Sequence, residues 1–93
     1  MLLLCDVGNT NTVLGVYEGN ETIAYWRIGT DSKKTTDEYG MLLRQLFLAN
    51  NIDITQVKDI AISSVVPPLN QTLEEVSQKY FAIKPLIIGP GVK

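Results

Sequence analysis

The sequence of 93 residues contains no histidine, a single cysteine and a net charge of only −2. The lack of histidine excludes Ser-His-Asp and Cys-His nucleophile systems in this chain and removes the commonest zinc ligand. One cysteine cannot form an internal disulfide, and Cys5 lies in an apolar run, where a free cysteine is usually a small buried hydrophobe. Catalysis would therefore have to use carboxylates, hydroxyls, amides, lysine or arginine.

The charge balance and the apolar runs also restrict the partners and the compartment. Eight Lys and Arg oppose ten Asp and Glu, which leaves no basic footprint for nucleic acid or an anionic membrane. No apolar run approaches the ~18 residues that span a bilayer. The apolar start lacks the basic region and the ~7–15-residue apolar stretch of a signal peptide. We predict a cytoplasmic protein with no nucleic-acid or membrane partner.

Turn-forming residues divide the first third of the chain into three short apolar segments. One turn cluster occupies residues 8–11 and the next occupies residues 18–21. β-Branched and aromatic residues are enriched in the segment that follows the second turn. The pattern predicts a meander of antiparallel strands at residues 2–5, 12–17 and 22–28.

Two helical patterns follow the meander. Thr35 and Glu38 have the spacing of a capping box, and Asn50 with Asn51 ends the first helix. Pro67-Pro68 opens the second helix. Both helices carry one apolar stripe, which we expect to pack on the sheet. The stripes are Tyr39, Leu42, Leu43, Leu46 and Phe47 in the first helix and Leu69, Leu73, Val76 and Tyr80 in the second.

Two further strands complete the predicted order β-β-β-α-β-α-β. The almost continuous apolar run at residues 60–66 predicts a central parallel strand covered on both faces. Residues 85–88 predict a fifth strand, closed by Gly89-Pro90-Gly91. Because a meander is antiparallel and helical crossovers join parallel strands, the fold class is α/β with a mixed five-stranded sheet of order 3-2-1-4-5. The apolar fifth strand would lie at an unprotected edge, so we expect one domain, residues 1–93, truncated at its C-terminal end.

The turn after the first strand carries the strongest candidate site. Asp6-Val7-Gly8-Asn9-Thr10-Asn11 combines a carboxylate, a glycine and three short polar side chains. A turn of this kind presents backbone amides to a phosphate, and Asp6 could hold Mg²⁺ directly or through water. The alternative is an ordinary hairpin turn, which also favours Gly and Asn. The position between the first two strands of this topology favours phosphate binding.

Other polar residues have weaker claims to a site. Ser63 and Ser64 could line a cleft at the carboxyl end of their strand, or simply end the strand. Arg27 beside Trp26 suits a cation–π or dimer contact, although a solvated strand position is the simpler interpretation. Lys33 and Lys34 suit phosphate attraction or an ordinary surface.

Several segments together resemble the N-terminal half-domain of type III pantothenate kinases. They are Asp6 to Asn11, Trp26-Arg27, Thr36-Asp37-Glu38, Ser63-Ser64-Val65-Val66-Pro67 and Ser77-Gln78-Lys79-Tyr80-Phe81. The resemblance covers essentially the whole chain. It implies a ribonuclease-H-like half-domain of the acetate-kinase, sugar-kinase, heat-shock ATPase and actin superfamily.

The resemblance also implies a function for the first loop. A phosphate loop would run over eight residues and bind ATP, and Asp6 would hold the metal; the residues are Asp6, Val7, Gly8, Asn9, Thr10, Asn11, Thr12 and Val13. The implied reaction is ATP-dependent phosphorylation of pantothenate in coenzyme A biosynthesis, with Mg²⁺ and a monovalent cation (K⁺ or NH₄⁺), in a homodimer. The family's general-base aspartate is expected beyond Lys93, so the 93 residues alone are expected to be inactive.

Two other interpretations stay open at this point. One is a non-catalytic transcription-accessory relative with the same fold, which would bind without turnover. The other is an interaction module that offers its sheet edge to a partner.

Overall fold

The computed structural model describes residues 1–88. In chain order the elements are β1 (Leu2–Val7), β2 (Asn11–Glu18), β3 (Glu21–Gly29), α1 (Thr36–Ala49), a short 3₁₀ turn (Ile54–Gln56), β4 (Asp59–Ser64), α2 (Pro67–Phe81) and β5 (Leu86–Ile88). The strands form one sheet in the order β3-β2-β1-β4-β5. β1 pairs antiparallel with β2 and parallel with β4, and β4 pairs parallel with β5. The predicted fold class and strand order are confirmed.

Local sequence chemistry accounts for the helix ends. Thr35 accepts a hydrogen bond from the Glu38 amide, and Glu38 accepts one from the Thr35 amide, so the capping box is present. Asn50 ends α1, and Asn51 adopts the left-handed conformation with φ +57°. α2 begins at Pro67, and its end at Ala82 is also left-handed.

Both helices pack on one face of the sheet, where strand side chains at alternate positions are buried. The Phe47 ring lies between Trp26 of β3, to which it is tilted, and Phe81 of α2, which it meets edge-to-face, with ring centroids 5.5 and 5.8 Å apart. Gly40 of α1 lets the Tyr80 ring lie against the helix backbone, because a Cβ there would be 2.2 Å from the ring. The buried apolar residues are Leu3, Cys5, Val7, Leu14, Val16, Ala24, Tyr39, Leu43, Phe47, Val57, Ile60, Ile62, Leu69, Leu73 and Val76.

The α1 stripe is buried unevenly. Tyr39, Leu43 and Phe47 are at most 3% exposed, whereas Leu42 and Leu46 are half-buried at the flanks. A stripe wider than the contact explains the difference, because the outer residues of a broad apolar stripe reach only the margin of the core.

Two predicted features of β4 need correction. The strand ends at Ser64 rather than at Val66, because the Ser64 hydroxyl bonds both the amide and the carbonyl of Val66 and bends the chain there. Only one face of β4 is covered by residues 1–88, since burial alternates along the strand. The uncovered face of the sheet exposes apolar side chains that include Leu2, Tyr25 and Leu86.

The other strand boundaries differ by one or two residues. β1 continues to Val7, so Asp6 lies inside the strand and not at the tip of the hairpin. β2 and β3 each extend by one residue at both ends beyond the predicted limits, and β5 begins at Leu86. The predicted Gly89-Pro90-Gly91 turn lies outside the described residues.

Candidate phosphate-binding site

The carboxyl ends of β1 and β4 define one edge of the sheet. The two strands are parallel neighbours, with Asp6 beside Ser63 and Val7 beside Ser64 in register. The Val65 amide donates to the Val7 carbonyl at 3.0 Å, which holds the ends of the two strands together. Ligands of sheets with parallel strands gather at such an edge, so this is the first place to look for a site.

Asp6 carries an exposed carboxylate near this edge of the sheet. Its side chain lies on the uncovered face, in a row across the sheet with Arg27, Val13, Ser63 and Ile88. Within residues 1–88 the Asp6 carboxylate makes no hydrogen bond and no ion pair with another side chain. A free carboxylate beside a serine hydroxyl is chemically suited to a hard cation or to water bound by one.

The turn between β1 and β2 spans residues 8–11 and begins two residues after Asp6. The Gly8 amide donates to the Asn11 carbonyl at 2.9 Å, and a Cβ on Gly8 would lie 3.0 Å from that same oxygen. The amides of Asn9 and Thr10 have no acceptor among the described residues. Asn9, Thr10 and Asn11 are exposed. Successive unbonded amides of this kind suit an anion.

Two of the three remaining residues of the predicted loop lie on the opposite face of the sheet from Asp6. Val7 is 1% exposed and Thr12 is 3% exposed, and both side chains lie on the helix-covered face. Val13 is half-buried beside Asp6 on the uncovered face. The side chains of Val7 and Thr12 are therefore buried on the helix-covered face, whereas Asp6 and residues 9–11 are exposed and accessible to a ligand.

Thr30 is part of this site and had no signal in the sequence. Its hydroxyl donates to the Gly8 carbonyl at 2.8 Å and lies 2.8 Å from the Thr12 hydroxyl. Its amide donates to the Thr10 carbonyl at 2.9 Å. These contacts join positions 18 to 22 residues apart in the chain, so only the three-dimensional pairing of β2 with β3 could reveal them.

The two serines at the end of β4 have different surroundings. Ser63 is half-buried on the uncovered face beside Asp6, whereas Ser64 is 5% exposed and bonds the Val66 backbone. The neighbouring start of α2 offers few donors, because two prolines lack an N–H and the Leu69 amide donates to the Val66 carbonyl. Backbone donors for an anion therefore come from the 8–11 turn rather than from this helix end.

Arg27 and Trp26 lie on opposite faces of β3, which removes the suggested cation–π contact between them. Arg27 is exposed, as the simpler interpretation predicted. The Lys34 ammonium instead lies 5.9 Å from the centre of the Tyr39 ring. Lys33 is exposed at the surface.

Cys5 is confirmed as a buried small hydrophobe. It is 2% exposed, and its burial raises the pKa of the thiol to about 12. A thiol with this pKa stays protonated at neutral pH and is a poor nucleophile.

The donor set permits only one kind of metal binding. Residues 1–88 contain no cluster of three or more Asp, Glu, His or Cys side chains that could enclose an ion. Mg²⁺ is commonly held by one or two carboxylates together with water and substrate phosphates, and the lone Asp6 fits that mode.

None of the helices in the described part of the chain has the length and apolar character needed to cross a membrane.

Solved structures share this fold. The ROK hexokinase from Thermus thermophilus superposes with a TM-score of 0.67 and 9% sequence identity, over 95% of this chain and 33% of that chain. At this level of identity the likeness concerns the fold alone. The same strand and helix arrangement is therefore found in about a third of that hexokinase chain.

Sequence comparison gives the family. The profile described as type III pantothenate kinase matches residues 2–93, and the chain belongs to this family. A relative of that name from Exiguobacterium sp. is 54% identical over the whole chain, and one from Myxococcus xanthus is 55% identical. The chain covers 37% and 36% of those relatives, which is little more than a third of their length.

Proposed function

We propose that this chain is the phosphate-binding part of an ATP-dependent pantothenate kinase, which forms 4′-phosphopantothenate in coenzyme A biosynthesis. The observation that carries the proposal is an unbonded Asp6 carboxylate shortly before a turn whose Asn9 and Thr10 amides are also unbonded among the described residues, at the carboxyl ends of two parallel strands. We infer the substrate, pantothenate, from membership in the family. The combination favours a nucleotide site over an ordinary hairpin turn.

The chain's own groups suit phosphoryl transfer. This reaction needs positioning and charge neutralisation more than covalent help from the protein, so a site without histidine is adequate. The amides of the 8–11 turn would bind phosphate oxygens and fix their orientation. Asp6 would hold Mg²⁺, which when bound neutralises charge on the phosphates.

Other parts of the proposal rest on the family resemblance. They are the general-base aspartate beyond Lys93, the monovalent cation (K⁺ or NH₄⁺) and the homodimer. The proposed cytoplasmic location rests instead on the sequence, in which no apolar run approaches the ~18 residues that span a bilayer. The Asp6 carboxylate lies on the uncovered face, beside Ser63 near the carboxyl ends of β1 and β4, and we assign it to the metal rather than to the pantothenate hydroxyl. We expect the 93 residues alone to lack turnover, because a general base and an adenosine site have to be supplied by further chain.

The test measures phosphate transfer from ATP to pantothenate by the protein from the complete reading frame and by the 93-residue chain. We expect 4′-phosphopantothenate only from the complete protein. ATP binding without product would support the accessory interpretation instead. Product from the 93 residues would overturn the claim that an essential group lies outside them.

A further inference from the structure

Thr30, the residue that follows β3, is bonded to both sides of the 8–11 turn. Its hydroxyl donates to the Gly8 carbonyl at 2.8 Å, and its amide donates to the Thr10 carbonyl at 2.9 Å. A hydroxyl carries one hydrogen, and that of Thr30 is used on Gly8. The Thr12 hydroxyl, 2.8 Å away, must therefore donate to Thr30. Thr30 thus engages three positions of the segment 8–12.

The turn has little else to fix its shape. Its own backbone supplies one hydrogen bond across the turn, from the Gly8 amide to the Asn11 carbonyl. The side chains of Asn9, Thr10 and Asn11 are exposed and make no hydrogen bond with another described residue. Without Thr30, the peptide groups that carry the free amides would be held at one point only.

The segment after Thr30 is itself anchored to the core. The Asp31 amide donates to the Tyr39 hydroxyl at 3.0 Å, and that hydroxyl donates to the Asp31 carbonyl at 2.8 Å. Tyr39 is 3% exposed and belongs to the buried stripe of α1. A continuous series of hydrogen bonds therefore runs from α1 through residues 30 and 31 to the turn.

We propose that Thr30 is a positioning residue for phosphate binding, which holds the 8–11 turn so that the Asn9 and Thr10 amides face a nucleotide phosphate. The inference rests on the proposed kinase function. Thr30 acts through the turn, because its hydroxyl is occupied by Gly8 and Thr12. Amides that are fixed in advance bind an anion without the cost of ordering the turn, so loss of Thr30 should weaken ATP binding before it affects the chemical step.

The experiment compares Thr30→Val and Thr30→Ser in the complete protein. Valine has nearly the shape of threonine but lacks the hydroxyl, whereas serine keeps it. We expect Thr30→Val to raise the KM for ATP about tenfold with a much smaller change in kcat, and Thr30→Ser to restore most of the loss. Tyr39→Phe removes the anchor one step back and should raise the same KM by a smaller factor.

Thr55→Val is the matched control. It removes a threonine hydroxyl that donates at 2.7 Å to Asp53, in the 3₁₀ turn that lies before β4. We expect an unchanged KM for ATP. The melting temperature of every variant is measured alongside, because a purely structural role would lower it without separating KM from kcat.

The outcomes separate this inference from the proposed function. An unsubstituted protein that does not use ATP overturns the kinase proposal and the inference with it. An active protein whose Thr30→Val variant keeps the normal KM for ATP overturns the inference alone. Where Thr30→Val does not fold, Tyr39→Phe gives the test: a raised KM for ATP supports the inference, and a folded Tyr39→Phe variant with a normal KM overturns it.

Discussion

The two turns at either end of β2 have similar composition and different supports. The turn between β2 and β3 places Gly19 and Asn20 between the paired residues Glu18 and Glu21, and Gly19 has φ +58°. A glycine with positive φ in a two-residue hairpin loop is a local solution that needs nothing from the rest of the fold. No atom lies within 4 Å of a Cβ built on Gly19.

The turn between β1 and β2 depends on the rest of the molecule. Gly8 is not in the positive-φ region, but a Cβ there would lie 3.0 Å from the Asn11 carbonyl, so a side chain would require that oxygen to shift. Thr30, from the far end of β3, completes the hydrogen bonds of the turn. A turn held from outside can keep its own amides free for a ligand, which a self-sufficient turn has no reason to do.

The largest expected effect comes from removing the charge of Asp6, which lies at the end of the sheet that carries the turn between β1 and β2. Asp6→Asn in the complete protein keeps the shape of the side chain and removes its charge, so we expect turnover to fall by about a hundredfold or more with folding intact. Excess Mg²⁺ should recover part of the loss. The assay is steady-state phosphorylation of pantothenate at several Mg²⁺ concentrations.

Asp59→Asn is the control for that measurement. Asp59 is exposed at the opposite end of β4, in register with Leu2, near the Gly19 turn. We expect normal activity and a normal melting temperature. Near-normal turnover of a folded Asp6→Asn variant would remove Asp6 from the site and leave Asn9 and Thr10 as its local candidates.

Both turns belong to strands that share one hydrophobic core, so a substitution in the core should destabilise both turns equally. Leu43 is 3% exposed, so Leu43→Ala should lower the free energy of unfolding by about 2–4 kcal/mol. Leu46 is half-buried, and Leu46→Ala should cost about 1–2 kcal/mol. Denaturant unfolding of the two variants gives both values. Equal losses would mean that the two positions are equally buried and that the margin of the stripe is wrongly placed.

Local chemistry made most of the fold predictable. The capping box at Thr35, the Asn50-Asn51 helix end and the two proline residues act over a few residues, and each was found where the sequence indicated. The strand order followed because a meander and two helical crossovers leave few alternatives. These features require no knowledge of distant contacts.

The support of the candidate site was not predictable in the same way. Asp6 and residues 9–11 were visible as a polar cluster, but their arrangement depends on Thr30, which is one of several threonines in the chain and follows no pattern in the sequence. The end of β4 was also misplaced, because the bend comes from the Ser64 side chain and the apolar pattern continues through Val65 and Val66. The same apolar run also hid the alternation of burial along β4, so the uncovered face of this strand was not predicted.

The same substitution in both turns sharpens the comparison directly. Gly8→Ala pushes a methyl group against the Asn11 carbonyl, which should shift the turn and raise the KM for ATP several-fold. Gly19→Ala has room for the methyl group but a left-handed backbone, so it should lower stability by about 1 kcal/mol and leave the KM unchanged.

Gly19→Asn controls for the backbone conformation, because asparagine tolerates the left-handed region and should recover part of the stability. The measurements are ATP kinetics and denaturant unfolding of each variant in the complete protein. The comparison fails if Gly19→Ala changes ATP binding as much as Gly8→Ala does.

The smallest expected effect concerns a surface contact between α1 and α2, away from both turns. The Asp37 carboxylate accepts hydrogen bonds from the Lys79 ammonium at 2.8 Å and the Tyr80 hydroxyl at 2.6 Å. These bonds hold the pKa of Asp37 below its ordinary value of 3.8, with the Lys79 bond as the larger cause, and they raise the pKa of Lys79 above 10.5. All of these groups are at the surface, so solvent and salt screen the contact.

The pH dependence of this contact has a definite sign. A carboxyl whose pKa is lowered on folding stabilises the protein above the unfolded value of 3.8, and the contribution is lost as the pH falls through the lower folded value. The raised pKa of Lys79 adds stability below 10.5 that is lost as the pH rises through the folded value.

Asp37→Asn should therefore lower the melting temperature slightly at neutral pH and at low salt. The difference from the unsubstituted protein should shrink as the pH falls below 3.8, and also in high salt. Since Asp53 also has a lowered pKa and titrates in the same acid range in both proteins, only the difference between them reports on Asp37. A difference that stays constant between neutral and strongly acidic pH would show that residue 37 acts through packing or helix capping and not through its charge.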